Sequence, residues 1–86
     1  MKQITLFYLQ NCPHCQQAFA HLAELKQQPE YRDIEITQIE ESEEAELAEQ
    51  YDYFYVPTFY IGAEKVHEGH VEKEDVERVL RLALQN

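Results

Sequence analysis

An α/β domain in the order β-α-β-α-β-β-α is the fold class this 86-residue chain predicts, and three observations point to it. A nearly unbroken apolar run, Ile4-Thr5-Leu6-Phe7-Tyr8-Leu9, opens the chain, and apolar residues then recur at spacings of three and four between Cys15 and Leu25. Further on, the β-prone run Val56–Ile61 leads through turn residues into a last helical pattern. The length suits a single core with no second unit, so one domain over residues 1–86 is expected.

The opening run has the character of a central strand covered on both faces. Pro13 then stands where the first turn of a helix tolerates proline, and Cys15, Ala18, Phe19, Leu22 and Leu25 mark the buried stripe of a helix that ends before Pro29. The segment Asp33–Ile39 alternates apolar and polar residues, as expected of a second strand near a sheet edge. Ser42 is placed to cap a following helix with Glu43 and Glu44 in its first turn and Ala45, Leu47, Ala48 and Tyr51 turned inward. Val56–Ile61 is the third strand, and Gly62–Lys65 supplies a turn into a fourth at Val66–Glu68. After Gly69, a final helix from about Glu72 carries Val76, Val79, Leu80 and Ala83 on one side, with Arg78 and Arg81 late in it. The helical crossover makes the first two strands parallel, the hairpin makes the last two antiparallel, and the helices cover both faces.

Composition narrows the function classes. Seventeen acidic residues against seven basic ones give a formal charge of −10, which repels nucleic acid and anionic membrane surfaces. No stretch approaches the roughly 20 apolar residues of a membrane span, and the start Met1–Thr5 shows no signal-type cleavage site, so a cytoplasmic monomer is the expectation. Only two cysteines are present, two residues apart. A disulfide-stapled small domain carries more of them at wider spacing, so this pair is reactive rather than structural.

Cys12-Pro13-His14-Cys15 falls at the junction of the first strand and helix. The unpaired N–H groups and partial positive charge of a helix start favour a thiolate at Cys12, which makes it the expected nucleophile. Cys15, a turn further in, stays protonated until Cys12 has formed a mixed disulfide, and then resolves it. Pro13 stiffens the turn, and His14 can set a donor or a positive charge beside Cys12, both favouring the thiolate. Val56-Pro57-Thr58 matches the pair more than forty residues later. Base rates favour a trans Val56-Pro57 bond, whereas a cis bond facing the cysteines would offer the backbone N–H and C=O of Val56 to an extended substrate.

These residues together resemble the thioredoxin/glutaredoxin superfamily over practically the whole chain. The resemblance rests on Cys12-Pro13-His14-Cys15, on Val56-Pro57-Thr58-Phe59 and on Gly69 before the last helix. It implies a thioredoxin-like fold, a four-stranded mixed sheet flanked by three helices, with Pro57 cis beside the cysteines. It further implies Cys12 and Cys15 as catalytic residues, Pro13 and His14 as their tuners, and Val56, Pro57, Thr58 and Gly69 as the substrate-binding rim. The activity implied is dithiol–disulfide exchange on protein disulfides, fed by a thioredoxin-reductase-type or glutathione donor, with no cofactor beyond the Cys12–Cys15 pair. Glutathione sites in glutaredoxins use a basic residue before the first cysteine and a glycine pair; here Leu9, Gln10 and Asn11 are uncharged and Glu68-Gly69-His70 replaces the pair. Thioredoxins place a buried acid where this chain has Leu6.

Two other classes compete. In a metal or iron-sulfur protein, Cys12 and Cys15 would join His67 and His70 or a second subunit as ligands. In a docking domain without turnover, the aromatic stretch Tyr51-Asp52-Tyr53-Phe54-Tyr55 would be a partner surface, although such runs commonly divide between core and surface.

Overall fold

A computed structural model describes residues 1–85. Its elements are β1 (Ile4–Tyr8), α1 (Pro13–Leu25), β2 (Ile36–Glu40), α2 (Ala45–Ala48), β3 (Thr58–Ile61), β4 (Glu64–Glu68) and α3 (Lys73–Leu84). The expected order is the observed one. The four strands form one mixed sheet in the order β2-β1-β3-β4, with β1 parallel to β2 and antiparallel to β3, and β3 antiparallel to β4.

The apolar character of β1 follows from this central place, since both of its faces are covered. Ile4 and Leu6 point into the larger core, shared with Ala18, Leu22 and Leu25 of α1 and with Val76, Val79, Leu80 and Ala83 of α3. Phe7 points the other way, into a smaller cluster with Ile39, Ala48 and Tyr60, against which Tyr51 and Tyr53 pack. Each large side chain so buried contributes about 1.5–3 kcal/mol, which makes the two faces of β1 the main organiser of the domain. At its start α3 is tied down by Asp75, whose carboxylate accepts from the N–H of Glu72 at 2.9 Å.

Three boundaries differ from the sequence expectation. β2 begins at Ile36, not Asp33, because its partner β1 begins at Ile4; the chain before it turns off to α3, where the Lys2 N–H donates to the Ala83 carbonyl at 2.8 Å. Ile34 is buried nonetheless, with Tyr31, under a turn. Ser42 does not cap a helix. Its N–H and hydroxyl both donate to the Glu40 carboxylate, at 2.6 and 2.5 Å, so the chain makes a turn first and α2 shrinks to four residues with Ala45 exposed. The hairpin turn tightens to Gly62 and Ala63, with Glu64 already paired to Ile61 and Gly62 at a φ of 60° that favours glycine.

Candidate active site

Cys12 ends the turn that follows β1 and is the residue that caps α1. Its backbone is extended (φ −90°, ψ 118°), Pro13 takes the first helical position, and the Gln16 N–H donates to the Cys12 carbonyl at 3.0 Å. The same geometry turns the Cys12 sulfur back over the helix start, where the Cys15 N–H donates to it at 3.4 Å. Cys12 is half-buried, while Cys15 faces inward and has 0 % of its surface exposed; both are free thiols. Burial pushes the Cys15 thiol up from 9.0 to about 12, against a smaller opposing effect of the Leu9 backbone and with added contributions from Cys12 and Glu41.

The third strand brings the other half of the site. Phe7 of β1 lies opposite Thr58 of β3, so the chain entering β3 stands at the end of the sheet where the chain leaves β1. The Val56–Pro57 bond is cis, and the carbonyl oxygen of Val56 lies 3.9 Å from the Cys12 sulfur. Thr58 is fully buried, and its hydroxyl donates to the carbonyl of Tyr55. The Gly69 N–H donates to the Pro57 carbonyl at 2.8 Å. Gly69 has a φ of 90°; a Cβ there would meet Tyr55 only at ordinary distance, so conformation rather than space calls for glycine.

Cys12, Pro13, Cys15, Val56, Pro57, Thr58 and Gly69 therefore gather at one end of the sheet. His14 takes a different course. Its Nδ1 stands 3.0 Å from Nδ1 of His70, with the two rings edge to face at 5.0 Å, so its bonded partner is His70 and not Cys12. His70 is bonded in turn to the Glu72 carboxylate through Nε2, and the His67 ring to the His70 carbonyl at 2.8 Å. The ligand set that would combine His67 and His70 with the cysteine pair is not assembled. Among the described residues no three His, Cys, Asp or Glu side chains converge as a metal site would require.

Some residues of the site are not foreseen from the sequence. Glu40, nearly buried at the end of β2, accepts from the Gln10 N–H at 3.0 Å as well as from Ser42, and these bonds, that of the Ser42 hydroxyl foremost, lower its carboxyl below the usual range. It thereby props the turn that carries Cys12. Glu68 accepts from the N–H groups of Phe54 and Tyr55, at 2.5 and 2.9 Å, and from Lys65 at 2.7 Å. It holds the loop before Pro57 in place. The signal for both is strand register: Glu40 lies opposite Tyr8 and Glu68 opposite Thr58, at the end of the sheet where backbone donors need partners.

An open cleft of about 420 Å³ borders Cys12, between Gln10–Asn11 and Ser42–Glu43.

Residues 2–85 match the family model described as thioredoxin. Among solved structures, a mutant thioredoxin from Halobacterium salinarum is 23 % identical, with a TM-score of 0.71 over 98 % of this chain and 75 % of that one. A thioredoxin-like protein from Clostridium perfringens is 25 % identical, with a TM-score of 0.70 over 98 % of this chain and 71 % of that one. The germline-specific thioredoxin Deadhead from Drosophila melanogaster shares the fold at 14 % identity and a TM-score of 0.71, covering 95 % of this chain and 80 % of that one. No curated protein sequence matches.

Proposed function

The chain belongs to the thioredoxin family, and from that premise we propose that it reduces protein disulfides by dithiol–disulfide exchange, with Cys12 as nucleophile and Cys15 as resolving thiol. The observation that carries this reading is the asymmetry of the pair. One sulfur is accessible at a helix start and accepts an N–H; the other is sealed from solvent a turn away and held as a thiol.

In the first step the Cys12 thiolate attacks one sulfur of the substrate disulfide. A Cys12–substrate disulfide forms, the substrate S–S bond breaks, and the leaving thiolate takes up a proton. Cys15 then attacks the Cys12 sulfur while its proton passes, through water, to the departing substrate thiolate, forming the Cys12–Cys15 bond, breaking the Cys12–substrate bond and releasing the second substrate thiol. Two electrons pass from the dithiol to the substrate. A thioredoxin-reductase-type or glutathione donor returns them by reducing the Cys12–Cys15 bond. The Val56 carbonyl, which accepts from the Cys12 thiol at 3.9 Å and loses that donor once the sulfur ionises, supports pairing with an extended substrate backbone, with Pro57, Thr58 and Gly69 shaping that rim.

Insulin reduction coupled either to thioredoxin reductase or to glutathione and its reductase tests the assignment. Cys12→Ser is expected to abolish turnover, and Cys15→Ser to accumulate mixed disulfides visible by mass as covalent substrate adducts. Turnover that persists in Cys12→Ser would reject it.

A further inference from the structure

The aromatic stretch before Pro57 divides sharply. Tyr51 and Tyr53 pack on the smaller core, whereas Phe54 and Tyr55 are 86 % and 70 % exposed. These two rings are not on a loose loop. Glu68 holds both of their N–H groups, and Thr58 holds the Tyr55 carbonyl, so two large rings are presented to solvent from a fixed backbone two residues from the cis proline. Exposed aromatic area of this kind suits a contact surface, since rings supply area at little entropic cost.

The ground between Phe54 and Cys12 is continuous and carries one sign of charge, with Tyr55 next in the chain at its border. The cleft beside Cys12 shares Ser42 with a second open cleft, of about 510 Å³, that runs between α2 and the aromatic loop and is lined by Glu41, Glu49, Tyr51, Tyr53 and Phe54. No Lys, Arg or His lines either one. The segment from Asp33 to Glu64 has ten Asp and Glu and no Lys, Arg or His, and four of its carboxylates, Glu40, Glu41, Glu43 and Glu49, line the two clefts. The cations lie elsewhere: Lys73 and Arg81 pair with Glu24 and Glu77, and Lys65, at the border of the loop, is paired with Glu68. Glu43, Glu44, Glu46 and Glu49 are exposed, and among the described residues none of them has an ion pair.

The geometry points to a docking surface for cationic, extended polypeptide segments, running from Cys12 past Ser42 to Phe54 and Tyr55. The disulfides attacked fastest are then those whose cysteine has Lys or Arg neighbours. Carboxylates lining open clefts raise the local concentration of a cationic segment, and the two ring faces accept its guanidinium or ammonium groups. This substrate class rests on the exchange chemistry proposed above; the surface itself does not.

Two measurements separate them. The first compares the reduced protein with two peptide disulfides that differ only in Lys and Arg against Glu beside the cysteine. The cationic peptide is expected to react about tenfold or more faster at low salt, with the ratio collapsing at an ionic strength of about 0.5 M, where screening is nearly complete. In the Glu43→Lys/Glu49→Lys double variant, which reverses one exposed carboxylate in each cleft, the ratio should fall toward one. Equal rates for the two peptides, or a ratio indifferent to the double substitution, would overturn the inference. The second measurement uses cysteine-free versions of the two peptides and follows amide shifts by NMR. The cationic peptide should move signals of α2 and of Phe54 and Tyr55 while the anionic one leaves them still, and it should lose affinity in Phe54→Ala. Shifts elsewhere, or none, would overturn the surface. Absence of any disulfide reduction alongside cation-specific shifts would instead defeat the exchange chemistry alone.

Discussion

Alkylation of the reduced protein with iodoacetamide should modify Cys12 and spare Cys15, and the margin follows from the site. Alkylation proceeds through the thiolate. With the Cys15 thiol raised from 9.0 to about 12, its ionised fraction near neutral pH is lower than that of an ordinary thiol by three powers of ten. That corresponds to about 4 kcal/mol at about 1.4 kcal/mol per unit. The sulfur is also fully buried, so reagent access can only widen the gap. Peptide mapping by mass spectrometry over a time course is therefore expected to give a single adduct on Cys12, and Cys12→Ser protein, in which Cys15 loses its neighbour's contribution but keeps its burial, should still be modified far more slowly than a free thiol. The residual rate at Cys15 should climb tenfold per pH unit beyond 9.0, without the plateau of an ordinary thiol. The sign for stability is the same: the folded value lies above the unfolded one, so this contribution is whole below pH 9.0 and declines as pH rises toward about 12. Comparable labelling of both cysteines, or a plateau near pH 9.0 for Cys15, would refute the division of roles.

Two further outcomes follow from the loops that frame the site. Glu68 is drawn down to about 2, chiefly by Lys65 and then by the Phe54 and Tyr55 amides, so its hold on the loop is complete above the ordinary value of 4.5 and fades as pH falls toward about 2. Hydrogen exchange at Phe54 and Tyr55 should accelerate over that window, and already at neutral pH in Glu68→Gln; protection that ignores both changes would be inconsistent with the bonds described. For the histidines, the Glu72 carboxylate can only accept, so a neutral His70 donates from Nε2 and offers the lone pair of Nδ1. His14 must then carry its proton on Nδ1, leaving Nε2 as an acceptor. Long-range nitrogen–proton NMR should find these opposite tautomers, and Glu72→Gln or His70→Ala should release His14 to a mixture. An Nε2-protonated His14 beside a neutral His70 would exclude the chain of bonds, since neither Nδ1 would then stand as donor to the other while Nε2 of His70 serves Glu72.

The parts of the structure that were legible in the sequence are those fixed by a local period. Val76, Val79, Leu80 and Ala83 are all buried, as their helical spacing requires, and the unbroken run over Ile4–Tyr8 is the central strand. Cys12 and Cys15 are legible for the same reason, since the strand-to-helix joint is a local pattern. What was not legible depends on partners distant in the chain. Ser42 has a capping residue's chemistry, but Glu40, two positions earlier, offers its donors a carboxylate, and nothing local decides between the two. Glu40 and Glu41 belong to an acidic run with no local feature that separates them; only the pairing of Tyr8 with Glu40 turns one of them under the turn that carries Cys12. The partner of His14 is 56 positions away and no periodicity connects them.

The meeting of Cys12 with Val56 follows from strand direction. A helical crossover from β1 returns the chain to run parallel as β2, so both strands finish at the same end of the sheet, and loops leaving there can only build on one rim. β3, antiparallel to β1, starts at that rim rather than finishing there. The two loops that flank β1 at this end therefore come from opposite strand polarities: one leaves a strand and opens a helix, presenting backbone N–H groups to a sulfur, and the other enters a strand, presenting the Val56 carbonyl before pairing begins at Thr58. A helix start whose N–H faces a sulfur and a strand entry whose carbonyl accepts from the same sulfur are thus set side by side, the arrangement that the proposed exchange would use. Had β3 run parallel to β1, the segment before it would open at the far end of the sheet. No substitution within Cys12–Cys15 could then bring the two halves of the site together.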